Sequence, residues 1–186
     1  MLAWPVTGLF ADFTVAPNGT LYQATVELEQ VDRYSLYDTG VLGERVPAQV
    51  TGLMLSQENR TVPFNRTDPF TITFPKGNYT LSYSGTIRDN HMQQVFPKPY
   101  NVTISLPPEF DIRNPLIGMI SPQGGRVTTA GGNTTSIAWD QVRSVEIRFY
   151  DPARETLLYL FGNFWIIIAI VLLFPFLMTW RRRRSG

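Results

Sequence analysis

The chain has 186 residues, a net charge of +1 and no cysteine. Without cysteine there is no disulfide framework, thiol nucleophile, lipidated cysteine or thiolate metal site, so an exported domain must be held by its own core or by partners. Setting aside Arg181, Arg182, Arg183 and Arg184 leaves 16 − 4 = 12 Lys and Arg against 15 Asp and Glu, a balance of −3 that gives no electrostatic reason to expect nucleic-acid binding.

Residues 1–10 have no basic start, and Pro5 and Gly8 interrupt a short apolar run. An export signal is therefore expected upstream of Met1 or already removed. Beyond them the chain reads as short strands between turns. Leu21–Val31, Val46–Leu55, Phe70–Phe74, Tyr79–Ile87 and Asn101–Leu106 are the expected strands, with Asp12–Val15 and Arg60–Phe64 less marked. In Phe70-Thr71-Ile72-Thr73-Phe74 the alternation gives one apolar face and one Thr face. Pro17-Asn18-Gly19, Asp38-Thr39-Gly40, Asp68-Pro69, Pro75-Lys76-Gly77 and Pro97-Lys98-Pro99 supply breaks. Strands spaced this way predict an all-β ectodomain, an antiparallel β-sandwich of Ig-like or similar type. No internal repeat and no amphipathic helical pattern is read before residue 150.

After Pro107-Pro108-Glu109 the texture changes. Thr134–Trp139 and Val142–Tyr150 are expected to pair, with Val145, Ile147 and Phe149 on one face and Ser144, Glu146 and Arg148 on the other. The expected organisation is a β-sandwich over 1–108, a membrane-proximal β unit over 109–150, a transmembrane helix over 151–180 and a basic cytoplasmic tail over 181–186.

From Thr156 to Trp180 there is no charged side chain. Roughly 20 apolar residues in a helix cross about 30 Å of hydrocarbon, and a single span must be helical because lipid offers the backbone no hydrogen-bond partner. Arg181, Arg182, Arg183 and Arg184 follow, and positive charge tends to stay cytoplasmic. Aromatic rings flank the span at Tyr159, Phe161, Phe164, Trp165 and Trp180. Pro175 is expected to kink the helix. The orientation read is N-terminal domain outside and C-terminus inside. The alternative, a tail-anchored cytosolic domain, would require the four arginines to cross.

The pattern Asn-x-Thr occurs at Asn18, Asn59, Asn65, Asn78, Asn101 and Asn133, six of nine asparagines, and marks N-glycan acceptors on exported surfaces. All six are expected to face water. Asn101, Thr103 and Ser105 should oppose Val102, Ile104 and Leu106. Acceptor sites without cysteine fit an archaeal envelope.

The run from Asn114-Pro115-Leu116-Ile117-Gly118 through Ser121-Pro122-Gln123-Gly124-Gly125, then Trp139-Asp140, Arg148-Phe149-Tyr150 and Phe161-Gly162, resembles a family of uncharacterised archaeal single-pass membrane surface proteins. The resemblance lies mainly over residues 78–175. It implies a β-rich ectodomain with an anchor, no known activity and no functional residues to transfer.

Catalytic chemistry has little to work with. His91 is the only histidine and is read in an exposed turn, Arg88-Asp89-Asn90-His91-Met92. No nucleophile elbow, phosphate-binding glycine loop or zinc-protease motif is present. Glu27 and Glu29 share a strand face, read as solvated. Gly124-Gly125 and Gly131-Gly132 are read as turns, Trp139 as core, and Tyr34, Tyr37 and Phe96 as exposed loop aromatics. No catalytic residue, metal or cofactor is expected. The expected function is a membrane-anchored, N-glycosylated envelope protein with a non-enzymatic role, contacting the lipid bilayer and a membrane or envelope protein. An enzyme accessory or a weak hydrolase acting on envelope polymers is the alternative activity.

Overall fold

The computed structural model describes residues 8–40, 43–58, 60–129 and 134–183. The strands are β1 (Leu9–Val15), β2 (Leu21–Ser35), β3 (Tyr37–Thr39), β4 (Arg45–Pro47), β5 (Val50–Gln57), β6 (Arg60–Thr61), β7 (Asn65–Arg66), β8 (Thr71–Thr86), β9 (His91–Leu106), β10 (Met119–Ser121), β11 (Arg126–Thr129) and β12 (Thr135–Arg148). One helix follows, α1 (Pro152–Arg183). Met1–Tyr150 form one compact unit and Asp151–Gly186 a second.

One large sheet runs in the order β10-β12-β9-β1-β2-β8-β5-β6, with β11 also on β12 and β7 on β8; β3 and β4 form a separate hairpin. The sheet is mixed rather than purely antiparallel. β1 lies antiparallel to β2 but parallel to β9, with Phe13 opposite Ala24 on one side and Ile104 on the other. Alternation drives the packing: along β2, Tyr22, Ala24, Val26 and Leu28 are buried while Gln23, Thr25, Glu27 and Glu29 are exposed.

The expected boundary at 108/109 does not divide this unit. β12 pairs along the length of β9, and Ile137, Trp139, Val145, Ile147 and Phe149 belong to the same core as Phe13, Leu81 and Ile104. The two stretches expected at Thr134–Trp139 and Val142–Tyr150 are one strand. Its face assignment holds, with Val145, Ile147 and Phe149 buried. Trp139 is core, 3% exposed, and its indole Nε1 donates to the Pro122 carbonyl at 3.0 Å. Trp139→Ala is expected to cost about 3–5 kcal/mol. Denaturant unfolding of the parent and the variant measures this, and a loss below about 1 kcal/mol would contradict the packing described.

Two expected breaks are corners inside long strands. Pro75-Lys76-Gly77 lies within β8 and Pro97-Lys98-Pro99 within β9. β9 must bend there. Phe13 faces Ile104, eight residues beyond Phe96, and an extended strand covers about 26 Å in that distance. Yet the Phe13 and Phe96 rings are 6.3 Å apart, and Gln94 Nε2 donates to the Tyr22 hydroxyl at 3.0 Å. β2 and β12 bend alongside, with register shifts between Leu28 and Arg33 and between Trp139 and Ser144. The sheet is thus creased, and its two arms share one core. The crease is why Tyr34 and Phe96, expected as exposed loop aromatics, are 7% and 3% exposed.

Contrary to the expectation of no internal repeat, the two sides of the crease carry matching segments. Phe74-Pro75-Lys76-Gly77-Asn78-Tyr79-Thr80-Leu81-Ser82 matches Phe96-Pro97-Lys98-Pro99-Tyr100-Asn101-Val102-Thr103-Ile104-Ser105 with one inserted residue. Their partner strands match as well, Glu29-Gln30-Val31 against Asp140-Gln141-Val142. In each pair the Gln sits at a bulge with positive φ, 51° at Gln30 and 54° at Gln141. Each bulge backbone is held by the facing Asn. Asn78 Oδ1 accepts from Gln30 N at 2.9 Å and Nε2 at 3.0 Å; Asn101 Oδ1 accepts from Gln141 N at 3.1 Å and Nε2 at 3.2 Å.

α1 opens on a strong start signal. Asp151 Oδ1 accepts from Arg154 N at 3.0 Å, Pro152 occupies the first helical position and Glu155 lies in the first turn. The helix continues through Pro175. Its segment Pro152–Phe174 is long and apolar enough to cross a membrane, and no residue in its most apolar window is buried.

Candidate functional site

A cleft of about 820 Å³ opens in the β unit. The hairpin β3–β4 forms one wall, through Asp38, Gly40, Glu44 and Val46. The β8–β9 turn and the start of β9 form the other, through Arg88, Asp89, His91 and Gln93. Asp89 and Asn90 both have φ of 54°, the left-handed pair of a tight hairpin turn. That turn ends at Asn90, two residues earlier than expected. His91 is the first residue of β9 and half-buried, and its Nε2 lies 2.8 Å from Glu146 Oε1 on β12.

Burial raises the pKa of Asp38, with Arg88 partly opposing the rise. Beneath it the Tyr22 hydroxyl is pushed up to about 12, first by burial and then by the Asp38 charge. The cleft is therefore mixed in sign, with a half-buried acid at its edge. Since the folded pKa of Asp38 is raised, its ionisation costs stability above the unfolded value of about 3.9 and costs nothing well below it. Asp38→Asn should melt higher than the parent at neutral pH and level with it near pH 3. Melting curves at the two pH values check this; an equal or lower melting temperature at neutral pH would contradict it.

His91 and Glu146 could exchange a proton with a bound polar molecule. They do not assemble a metal site: among the described residues no group of three or more His, Cys, Asp or Glu could hold a metal ion. Glu27 and Glu29 lie on one exposed face, as expected, and with Glu58 line a second groove of about 740 Å³ that reaches Asn78 and Gly8. Gly124 sits in a turn at φ of 100°; Gly131 and Gly132 lie outside the described residues.

The acceptor candidates separate by environment. Asn18, Asn65 and Asn78 are exposed, whereas Asn59 and Asn133 lie outside the described residues. Asn101 corrects the expectation that all six face water. It is 6% exposed and its Nδ2 is buried with no hydrogen-bond partner among the described residues. Alternation resumes beyond it, with Val102, Ile104 and Leu106 buried and Thr103 and Ser105 half-buried. A methyl group on Gly8 would fall 2.8 Å from Asn101 Nδ2, so the chain entering β1 covers this amide. Only tertiary packing makes that cover, and no local signal in Asn101-Val102-Thr103 announces it. Of the basic cluster, Arg181, Arg182 and Arg183 end α1 and Arg184 lies outside the described residues.

A family model described as a family of unknown function, DUF5803, matches residues 10–184, and the chain belongs to that family. The match extends well beyond the expected residues 78–175 and takes in β1, β2 and β8. No curated protein matches. Among solved structures, the crystal structure of an aminopeptidase N family protein from Idiomarina loihiensis is 11% identical with a TM-score of 0.47, covering 75% of this chain and 29% of that one. The chain thus spans less than a third of that protein's length, and no functional inference follows from a likeness at this level.

Proposed function

We propose that this member of a family of unknown function is a single-pass membrane protein that holds its β unit outside the cell on α1. In this reading it does non-enzymatic structural or protein-interaction work in the envelope, and the creased sheet serves as its sandwich-like body. The observation that carries the reading is the helix itself: Pro152–Phe174 is apolar enough to span, and its large side chains, among them Phe161, Phe164, Trp165, Ile166, Ile167 and Leu172, are exposed. Exposed apolar surface on that scale requires lipid or a partner. The arginines at the end of α1 supply the charge asymmetry for a cytoplasmic C-terminus. Acceptor triplets in a chain without cysteine favour an archaeal envelope as its setting. Carbonate extraction of membranes from native cells should leave the protein in the pellet, and gentle-detergent purification should return a partner protein or a second copy. Release by carbonate, or recovery as a lone monomer, would count against the reading.

The His91–Glu146 contact favours one second reading, an accessory hydrolase acting on envelope polymers through the cleft. That reading requires His91→Ala to alter envelope chemistry while the melting temperature is kept. An unchanged envelope would remove it.

A further inference from the structure

The Asn-x-Thr triplets fall into two structural classes, and the difference bears on which asparagine can be modified. N-glycan transfer alkylates the amide nitrogen. Nδ2 attacks the anomeric carbon of a lipid-linked glycosyl phosphate donor, the C1–N bond forms, the C1–O bond breaks and the departing phosphate keeps the electron pair. A base of the transferase takes the Nδ2 proton. The reaction needs an accessible Nδ2 and a triplet that can leave the surface to enter an enzyme.

Asn101 meets neither need. Its Nδ2 is buried beneath Gly8, and its Oδ1 is committed to Gln141. In the triplet Asn101-Val102-Thr103, all three residues are paired with β1, and Val102 and Thr103 are also paired with β12. A glycan there has no room in the folded protein, whenever it is attached. Asn78 repeats the arrangement in a more open place. Its side chain is exposed, but Gln30 holds its carboxamide with two hydrogen bonds, and Thr80 is paired with Glu27 on β2 and Ser56 on β5.

Asn18 is the opposite case. It lies in the turn between β1 and β2, where its Oδ1 accepts from Thr20 N at 3.1 Å, an Asx turn that projects the amide into solvent. Both Asn18 and Thr20 are exposed. Asn65 and Thr67 are exposed as well, on and just after the two-residue strand β7.

We propose that the repeated Asn–Gln clamp withdraws Asn78 and Asn101 from glycosylation and leaves Asn18 and Asn65 as the glycan acceptors of this part of the fold. The proposal rests on the exported topology given above. Site-by-site glycopeptide mass spectrometry of the full-length protein from its own cells, with protease shaving of the same cells, tests both separately. The expected result is glycan mass on Asn18 or Asn65 and none on Asn78 or Asn101, with loss of that mass in Asn18→Gln and Asn65→Gln. A glycan on Asn78 or Asn101 would overturn the proposal and leave the topology standing. Four bare asparagines on a β unit that external protease removes would do the same. Four bare asparagines on a protected β unit would overturn both.

Discussion

Asn101→Ala is expected to lower the stability of the β unit by about 2 kcal/mol, since it removes two hydrogen bonds to Gln141, each worth roughly 0.5–1.5 kcal/mol, from a buried side chain. For a domain of this size that corresponds to a fall in melting temperature of about 4–8 °C. Part of the loss is offset because the buried Asn101 Nδ2, itself without a partner among the described residues, is removed with it. Asn78→Ala is the internal control. It breaks the same two bonds to Gln30, but the site is exposed, so water replaces the lost acceptor. Its expected cost is about 1 kcal/mol or less. Equal losses in the two variants would show that the clamp acts through local geometry alone, and would contradict the role given to burial under Gly8. Thermal unfolding of the unglycosylated protein separates this effect from any contribution of a glycan.

The second large effect is all-or-none. Ending the chain at Tyr150 should move the protein from the membrane fraction to the soluble fraction and leave a β unit that unfolds cooperatively. The physical reason is the division of the chain. The core from Phe13 to Phe149 lies within Met1–Tyr150, and α1 is described as a unit of its own. Fractionation with circular dichroism checks both halves of the statement. A truncated protein that stays in the membrane pellet would contradict the anchoring role of α1. A soluble but unfolded one would contradict the independence of the β core.

Much of the fold was legible because the informative residues act locally. Alternation in Leu21–Val31 and Asn101–Leu106 marked the strands, Asp151-Pro152 marks the start of α1, and the uncharged run to Trp180 marks its body. The errors share one physical cause. Pro75-Lys76-Gly77 and Pro97-Lys98-Pro99 carry the local signal of strand ends because Pro lacks a donor and Gly tolerates turns. In a sheet that bends, the same residues make corners within a continuous strand. That reading shortens β8 and β9, while the boundary at 108/109 rests on Pro107-Pro108-Glu109, which lies between β9 and the strands that rejoin its sheet. The repeat is hidden as well, because the single inserted residue in Pro99-Tyr100 puts the two copies out of step. The cleft was not legible. His91 and Glu146 are 55 residues apart, and only the antiparallel register of β9 with β12 brings them together. Burial of Asn101 was equally hidden, because the cover comes from Gly8, just before the strand β1 that runs parallel to β9.

The proposed role depends most directly on which side of the membrane the β unit lies. The measurement is protease shaving of intact native cells, followed by mass spectrometry of what is released. Release of peptides from the β unit, from Asn18 through Arg148, with the arginine-flanked C-terminus retained, is the predicted result. A β unit protected from external protease while the cells remain sealed would contradict it.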